Sequence, residues 1–166
     1  MKVKAYVLIA AVLSLTISAV TKDAGKVEGF SPGDLAPEIT SLGKKNGFHF
    51  QNHSGTYTLL SFWAAYDAGS RANNVRLSNE VSKFSSDKIV MYSVSLDEKK
   101  SVFTETVKMD KLEGTAQLHE EQGKKSALYA KYKLKRGLRS FLIDDKGVIV
   151  ATDVTPETLG GLLKGI

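Results

Sequence analysis

Short β-forming runs alternate with helical segments along this chain, and that alternation limits the folds it can adopt. The predicted strands are rich in β-branched and aromatic residues and cover residues 48–50, 57–63, 88–95, 115–118, 140–143 and 148–151. The predicted helices cover residues 68–84, 99–112, 124–134 and 156–163. In the second helix, Val102, Phe103 and Val107 are expected to face the core. This order predicts an α/β fold, with a central mixed β-sheet flanked by helices on both faces.

The chain contains no cysteine among its 166 residues. This excludes disulfide bonds, thiolate nucleophiles, cysteine-ligated metals and lipid attachment to cysteine. The 23 Lys and Arg residues are offset by 18 Asp and Glu residues, a mixed balance that is unlike the concentrated basic surface of a dedicated nucleic-acid binder. The protein therefore performs no sulfur redox chemistry of its own, and we expect no nucleic-acid partner.

The N-terminus has the pattern of an export signal. Lys2 and Lys4 precede an uncharged, largely apolar run over residues 5–20, which ends in a polar stretch. A membrane-spanning helix needs about 20 apolar residues, so a cleaved signal peptide over residues 1–19 is favoured over an uncleaved N-terminal anchor. We therefore expect an extracytoplasmic protein, periplasmic or secreted after cleavage.

The mature chain is expected to form one domain. Residues 20–33 contain glycine and proline and few large apolar side chains, which is typical of a linker or lead-in segment. Residues 34–166 contain the predicted sheet and helices, and this length is sufficient to bury one core without disulfides.

Several short motifs carry a resemblance to a known family. They are Gly-Asp-Leu-Ala-Pro at 33–37, Leu-Ser-Phe-Trp-Ala-Ala-Tyr at 60–66, Tyr-Lys-Leu at 132–134 and Phe-Leu-Ile-Asp at 141–144. In order and spacing the chain resembles the TlpA/ResA-like thiol-disulfide oxidoreductases, extracytoplasmic AhpC/TSA-related members of the thioredoxin superfamily. The resemblance covers residues 31–166 and implies a thioredoxin-like fold.

The same resemblance shows what the chain has lost. The family's two redox cysteines fall on Asp67 and Ser70, so the former redox-motif positions are Asp67, Ala68, Gly69 and Ser70. The family's cis-proline falls on Leu138, and an acidic residue common among relatives falls on Asn73. A cis bond before a residue other than proline costs about 2.5–4 kcal/mol, so we expect a trans Gly137–Leu138 bond and a reshaped loop.

Asp67 has three interpretations. As an N-cap it would accept hydrogen bonds from the first amides of the following helix, where relatives hold a thiolate. It could instead serve as a catalytic carboxylate or contact a partner. Ser70 would need a base within hydrogen-bond reach to act as a nucleophile, and no nucleophile-elbow motif surrounds it. The sequence therefore assigns no catalytic residue.

The three histidines, His49, His53 and His119, do not have the spacing of metal ligands. No motif in the chain indicates a bound organic group. We expect neither a metal nor a cofactor.

Five basic residues cluster near Leu138, the former cis-proline position, namely Lys131, Lys133, Lys135, Arg136 and Arg139. These residues have three interpretations. They could be the solvated end of a helix, or they could form a surface for an acidic partner. Alternatively, Arg136 or Arg139 could form an ion pair with Asp67 and close the former redox groove. The candidate partner-binding residues are Trp63, Tyr66, Asp67, Arg71, Arg136 and Arg139.

Three functions are consistent with these features. The favoured one is a redox-inactive protein-binding or adaptor module of the cell envelope, whose partner is another envelope polypeptide. The alternatives are an accessory subunit of an envelope thiol-disulfide oxidoreductase system and an enzyme that uses non-cysteine chemistry at Asp67 and Ser70. The sequence does not specify an oligomeric state.

Overall fold

A five-stranded mixed sheet organises the residues that the computed structural model describes, 27–39 and 55–164. Its strands are Tyr57–Trp63 (β1), Ile89–Ser95 (β2), Ala116–His119 (β3), Ser140–Ile143 (β4) and Ile149–Thr152 (β5). The α-helices are Ala68–Val81 (α1), Lys100–Met109 (α2), Ala127–Lys131 (α3) and Pro156–Lys164 (α4). Single-turn 3₁₀ helices at Gly123–Lys125 and Leu134–Arg136 flank α3.

The strand order is β3-β2-β1-β4-β5, and it determines which chain segments meet. β1, β2 and β3 are parallel, whereas β4 pairs antiparallel with β1 and with β5. The carboxyl ends of the parallel strands therefore lie at one end of the sheet, next to the beginnings of α1 and α2. The beginning of β4 reaches the same end, because the Phe62 amide donates to the Arg139 carbonyl at 2.9 Å.

Apolar side chains cover both faces of the sheet. On one face Phe62, Tyr132 and Phe141 form a buried aromatic cluster, with ring centroids 4.9, 5.1 and 6.1 Å apart. On the other face, Leu59 and Leu142 pack with buried leucines of α1 and α4. The predicted α/β fold, a mixed sheet with helices on both faces, is confirmed.

Residues 27–39 cover the outer edge of β5. The Gly33 amide donates to the Ile149 carbonyl at 2.8 Å, and the Ile149 amide donates to the Asp34 carbonyl at 2.9 Å. The Tyr132 hydroxyl donates to the Pro37 carbonyl at 2.7 Å, and burial raises the pKa of this phenol strongly. The Gly-Asp-Leu-Ala-Pro motif therefore anchors the N-terminal segment and protects a sheet edge.

The predicted helix over residues 124–134 is wrong. Ser126 has an extended backbone (φ −68°, ψ 150°) and its hydroxyl accepts from the Tyr129 amide, so α3 begins only after it. Lys133 has a positive φ of 53°, which ends the helical path before the second 3₁₀ turn. Helical spacing alone predicted one helix, but the serine favours a cap over a helix interior.

Other expectations have mixed outcomes. Phe103 and Val107 of α2 pack inward as expected, but Val102 is 39% exposed. The signal peptide at residues 1–19, the strand at residues 48–50, His49 and His53 lie outside the described residues. Within the part of the chain that the structure describes, no helix has both the length and the apolar character needed to cross a membrane.

Candidate functional site

Asp67 caps the beginning of α1. Its backbone is extended (φ −114°, ψ 96°), and its Oδ1 accepts a hydrogen bond from the Ser70 amide at 2.8 Å. The carboxylate thus satisfies an amide that would otherwise lack a partner, and it lies at the positive end of the helix dipole. The predicted N-cap is confirmed.

Ser70 has a structural partner rather than a base. Its hydroxyl donates to the Asp67 carbonyl at 3.1 Å. His119 directs its Nε2 toward the Asp97 carbonyl at 2.6 Å and stacks on Phe103, with ring centroids 5.0 Å apart. Ser70 and His119 are therefore not arranged as a nucleophile and its general base.

Asp97 is a buried carboxylate that the sequence analysis missed. It lies two residues after β2 and is only 4% exposed. Its oxygens accept from the Ala65 amide at 3.0 and 3.1 Å and from the Ser95 hydroxyl at 2.8 Å. Asp97 thereby fixes the loop between β1 and α1. Its place just beyond the carboxyl end of a parallel strand was the signal that could have indicated it.

Tyr66 borders an open groove beside this loop, which we call the Tyr66 groove. The side chain is 55% exposed, and the Lys124 ammonium lies 4.9 Å from its ring centroid, within the range of a cation–π interaction. The groove has a volume of about 460 Å³, and its walls are Tyr66, Leu96, Asp97, Glu98, Lys99, Val102 and Lys124. Val102, expected in the core, is instead part of this surface.

A second concavity, which we call the basic groove, is lined by residues of α3 and of the segment that follows it. It has a volume of about 560 Å³ and is lined by Tyr129, Ala130, Lys133, Lys135 and Arg136. Burial raises the pKa of the Tyr66 phenol, and the negative charge of Asp97 raises it further. Lys124, whose ammonium lies over the Tyr66 ring, belongs to the 3₁₀ turn that precedes α3, and α3 carries Tyr129 of the basic groove. Two tyrosines and five cations therefore line the two grooves.

The ion pair from Arg136 or Arg139 to Asp67, one of the three alternatives for the basic cluster, is absent from the described residues. Arg139 instead binds Asp153, through Nε to Oδ1 at 2.6 Å and a terminal nitrogen to Oδ2 at 2.5 Å. This hydrogen bonding raises the pKa of Arg139. Within residues 27–39 and 55–164, Arg136 forms no ion pair. The start of α1 is therefore not closed by an arginine.

Two other candidate residues have internal roles. Trp63 is fully buried and packs against Phe103, so it cannot contact a partner at the surface. Arg71 donates two hydrogen bonds to Asp110, at 2.6 and 2.7 Å, and this interaction raises the pKa of the guanidinium. Arg71 thus ties α1 to the end of α2. Of the candidate partner-binding residues, Tyr66 and Arg136 are exposed, and neither forms an ion pair with another described residue.

The loop at Leu138 has the predicted backbone. No cis peptide bond occurs within the described residues, so the Gly137–Leu138 bond is trans, as expected. Leu138 is partly buried and packs on the aromatic cluster, while the exposed Gly137 has a φ of 137°. Asn73 directs its side-chain amide toward the Val154 carbonyl at 3.4 Å. Across residues 27–39 and 55–164, no group of three or more His, Asp or Glu residues is placed to hold a metal ion.

Comparisons with known proteins give clear structural relatives. Searches with protein-family models and among curated protein sequences give no match. A thioredoxin-like protein from Parabacteroides distasonis ATCC 8503 is 58% identical over 83% of this chain and 98% of its own, with a TM-score of 0.77. A thiol-disulfide oxidoreductase from Bacteroides fragilis NCTC 9343 is 27% identical over 80% of this chain and 98% of its own, with a TM-score of 0.64.

A more distant match shows the fold alone. The thioredoxin domain of a thiol-disulfide oxidoreductase from Bacteroides vulgatus is 22% identical over 81% of this chain and 96% of its own, with a TM-score of 0.68. Together the matches confirm the similarity to thiol-disulfide oxidoreductases that the motifs indicate.

Proposed function

This chain belongs to the thioredoxin-like family, and because it has no cysteine we propose that it is a redox-inactive module that binds another polypeptide beside the beginning of α1. The observation that carries the proposal is the contrast between Asp67 and Tyr66. Asp67 uses its carboxylate to cap α1, whereas its neighbour Tyr66 is 55% exposed beside an open groove. The position of the former redox motif thus stabilises the fold, and the surface next to it is available for recognition.

We further propose that the protein acts outside the cytoplasm, as a soluble or anchored component of the envelope. The export-signal pattern at residues 1–19 supports this location. N-terminal sequencing of the mature protein tests it, and a new N-terminus at Val20 is the expected result. A cytoplasmic protein that retains residues 1–19 would contradict it.

Site-specific photo-crosslinking tests the binding role. A photoreactive phenylalanine derivative replaces Tyr66 in the full chain, expressed in cells of its own organism. The matched control places the same group at Lys88, an exposed residue just before β2 at the opposite end of the sheet. We expect a discrete adduct with one polypeptide from position 66 and none from position 88. Identical adduct patterns at both positions would contradict the proposal.

The identity of the adduct separates two versions of this role. A cysteine-bearing oxidoreductase as the adduct would make the chain an accessory subunit of an envelope thiol-disulfide system. Any other envelope polypeptide would make it an adaptor. In both cases the chain contributes binding and no dithiol chemistry, because a chain without cysteine cannot cycle a dithiol.

A further inference from the structure

We propose that the Tyr66 groove and the basic groove together bind an acidic polypeptide segment, a specificity that rests on the proposed binding function. Its charged groups would contact Lys133, Lys135 and Arg136, and an apolar or aromatic side chain would lie against Tyr66. Three features of the grooves support this: the charge of their cations, the tyrosines that line them and the concave shape of the basic groove.

The first observation is the charge left on the basic groove. Two members of the sequence cluster are engaged elsewhere, because Arg139 binds Asp153 and Lys131 lies 3.8 Å from Glu28. Lys133, Lys135 and Arg136 are exposed and form no ion pair with any residue in the described ranges. Three adjacent cations without counter-charges among the described residues repel one another, so an acidic partner relieves this repulsion.

The second observation is that each groove is lined by a tyrosine. Tyr66 carries Lys124 over its ring, and Tyr129 lines the basic groove. Tyrosine and arginine are enriched at protein interfaces, since each combines a rigid apolar surface with a polar end. The acidic side chains here, Asp97 and Glu98, line only the Tyr66 groove. An acidic segment is therefore expected to direct its charges toward the basic groove.

The third observation favours a polypeptide over an anionic membrane surface. Proteins that lie on membranes expose large apolar side chains beside their basic residues. In the described residues, the exposed large hydrophobic side chains are Val27, Tyr66, Val102 and Met109. Tyr66 and Val102 line the Tyr66 groove, and none of the four lines the basic groove, which carries three of the cations. The cations instead surround a concavity of about 560 Å³, a shape suited to an inserted side chain.

Fluorescence anisotropy with a defined peptide tests the proposal on the full mature chain. The probe is a short fluorescein-labelled peptide rich in Asp and Glu with one central Phe, compared with a Lys-rich peptide of the same length. The key variant is Lys135→Glu combined with Arg136→Glu. The matched control is Lys88→Glu combined with Lys108→Glu, which changes the net charge equally at exposed residues outside both grooves.

We expect the acidic peptide to bind the wild type and the Lys-rich peptide not to bind. The key variant should weaken binding about ten-fold or more, whereas the control pair should stay within about two-fold. Tyr66→Ala should weaken binding about five-fold, and added salt should weaken it in the wild type. Circular dichroism before the titration confirms that each variant is folded.

Several outcomes would overturn the proposal. One is equal weakening by the key and control pairs, which would indicate an effect of net charge alone. Another is binding to phosphatidylglycerol vesicles without binding to the acidic peptide, which would assign the cations to a membrane surface. If crosslinking at position 66 still yields one polypeptide, the binding function stands and only its acidic specificity fails.

Discussion

The beginning of α1 and the basic groove use their charged groups in opposite ways. At the beginning of α1, Asp67 accepts from the Ser70 amide, and Asp97 accepts from Ala65 and Ser95. In the basic groove, Lys135 and Arg136 face solvent and form no ion pair within the described residues. One region contributes to folding, and the other is free to contribute to binding.

This difference indicates how a protein can keep the fold of its family without the redox cysteines. A helix N-terminus needs an acceptor whether or not it supports a reactive group. Aspartate meets that need in place of a thiolate, so the local structure survives without cysteine. The exposed surface beside it is under no such structural requirement, and its residues are therefore the better indicators of present function.

Removing the buried carboxylate of Asp97 should have the largest effect on stability. Asp97→Ala leaves the Ala65 amide and the Ser95 hydroxyl without their acceptor, in a site that is almost inaccessible to water. We expect the free energy of unfolding to fall by about 3 kcal/mol, measured by urea denaturation. Asp110→Ala, which removes a more exposed ion pair, is the comparison and should cost less. Equal losses from both variants would contradict the structural role of Asp97.

Gly123→Ala should have the next largest effect. Gly123 has a φ of 54°, and a Cβ atom there would lie 2.9 Å from the Leu96 carbonyl oxygen. The backbone would have to shift beside the Tyr66 groove, at a cost of about 2 kcal/mol. The control is Gly114→Ala, since a Cβ there meets open space and no positive φ is involved. Thermal unfolding of the two variants should differ by several degrees, and coincident transitions would refute the assignment.

Asp67→Ala should have a smaller effect that separates stability from binding. Losing the cap should lower the free energy of unfolding by about 1 kcal/mol, while Asp67→Asn retains an acceptor and should lose less. Neither change alters the cations of the basic groove, so acidic-peptide affinity should remain within about two-fold in both variants. A large loss of affinity in the folded Asp67→Asn variant would move the binding determinant to the former redox motif.

Much of the fold could be predicted from the sequence because it depends on local patterns. The run at Tyr57–Trp63 is continuously apolar or β-branched, and the structure confirms its limits as β1. Asp67 lay directly before a helical pattern, so its cap was predictable. The helix over residues 124–134 failed because Ser126 and Lys133 interrupt it through backbone conformations that periodicity does not reveal.

The site was harder to predict because its contacts join distant parts of the chain. Arg139 pairs with Asp153 across the β4–β5 hairpin, and Lys124 reaches Tyr66 from 58 positions away, by the difference of their numbers. Asp97 and Ala65 likewise meet only because β1 and β2 are adjacent and parallel. Charge clustering located the basic surface correctly, but only the folded chain shows which of its cations are already engaged.

The smallest expected effect concerns the titration of Tyr66, which directly precedes Asp67 and lines the Tyr66 groove. Burial, then the negative charge of Asp97, raise the pKa of this phenol above its ordinary value of 10.0. The unfolded chain therefore loses this proton first, so the contribution of Tyr66 to stability is intact below pH 10 and declines as the pH rises through the folded-state pKa.

The difference between the alkaline absorbance titrations of wild type and Tyr66→Phe isolates this phenol from Tyr57, Tyr92 and Tyr132, whose pKa values are also raised. Adding the acidic peptide should raise the pKa further, because bound carboxylates disfavour the phenolate. A midpoint at or below the ordinary value, or one that the peptide lowers, would show that Tyr66 does not lie between the buried carboxylate and the bound segment.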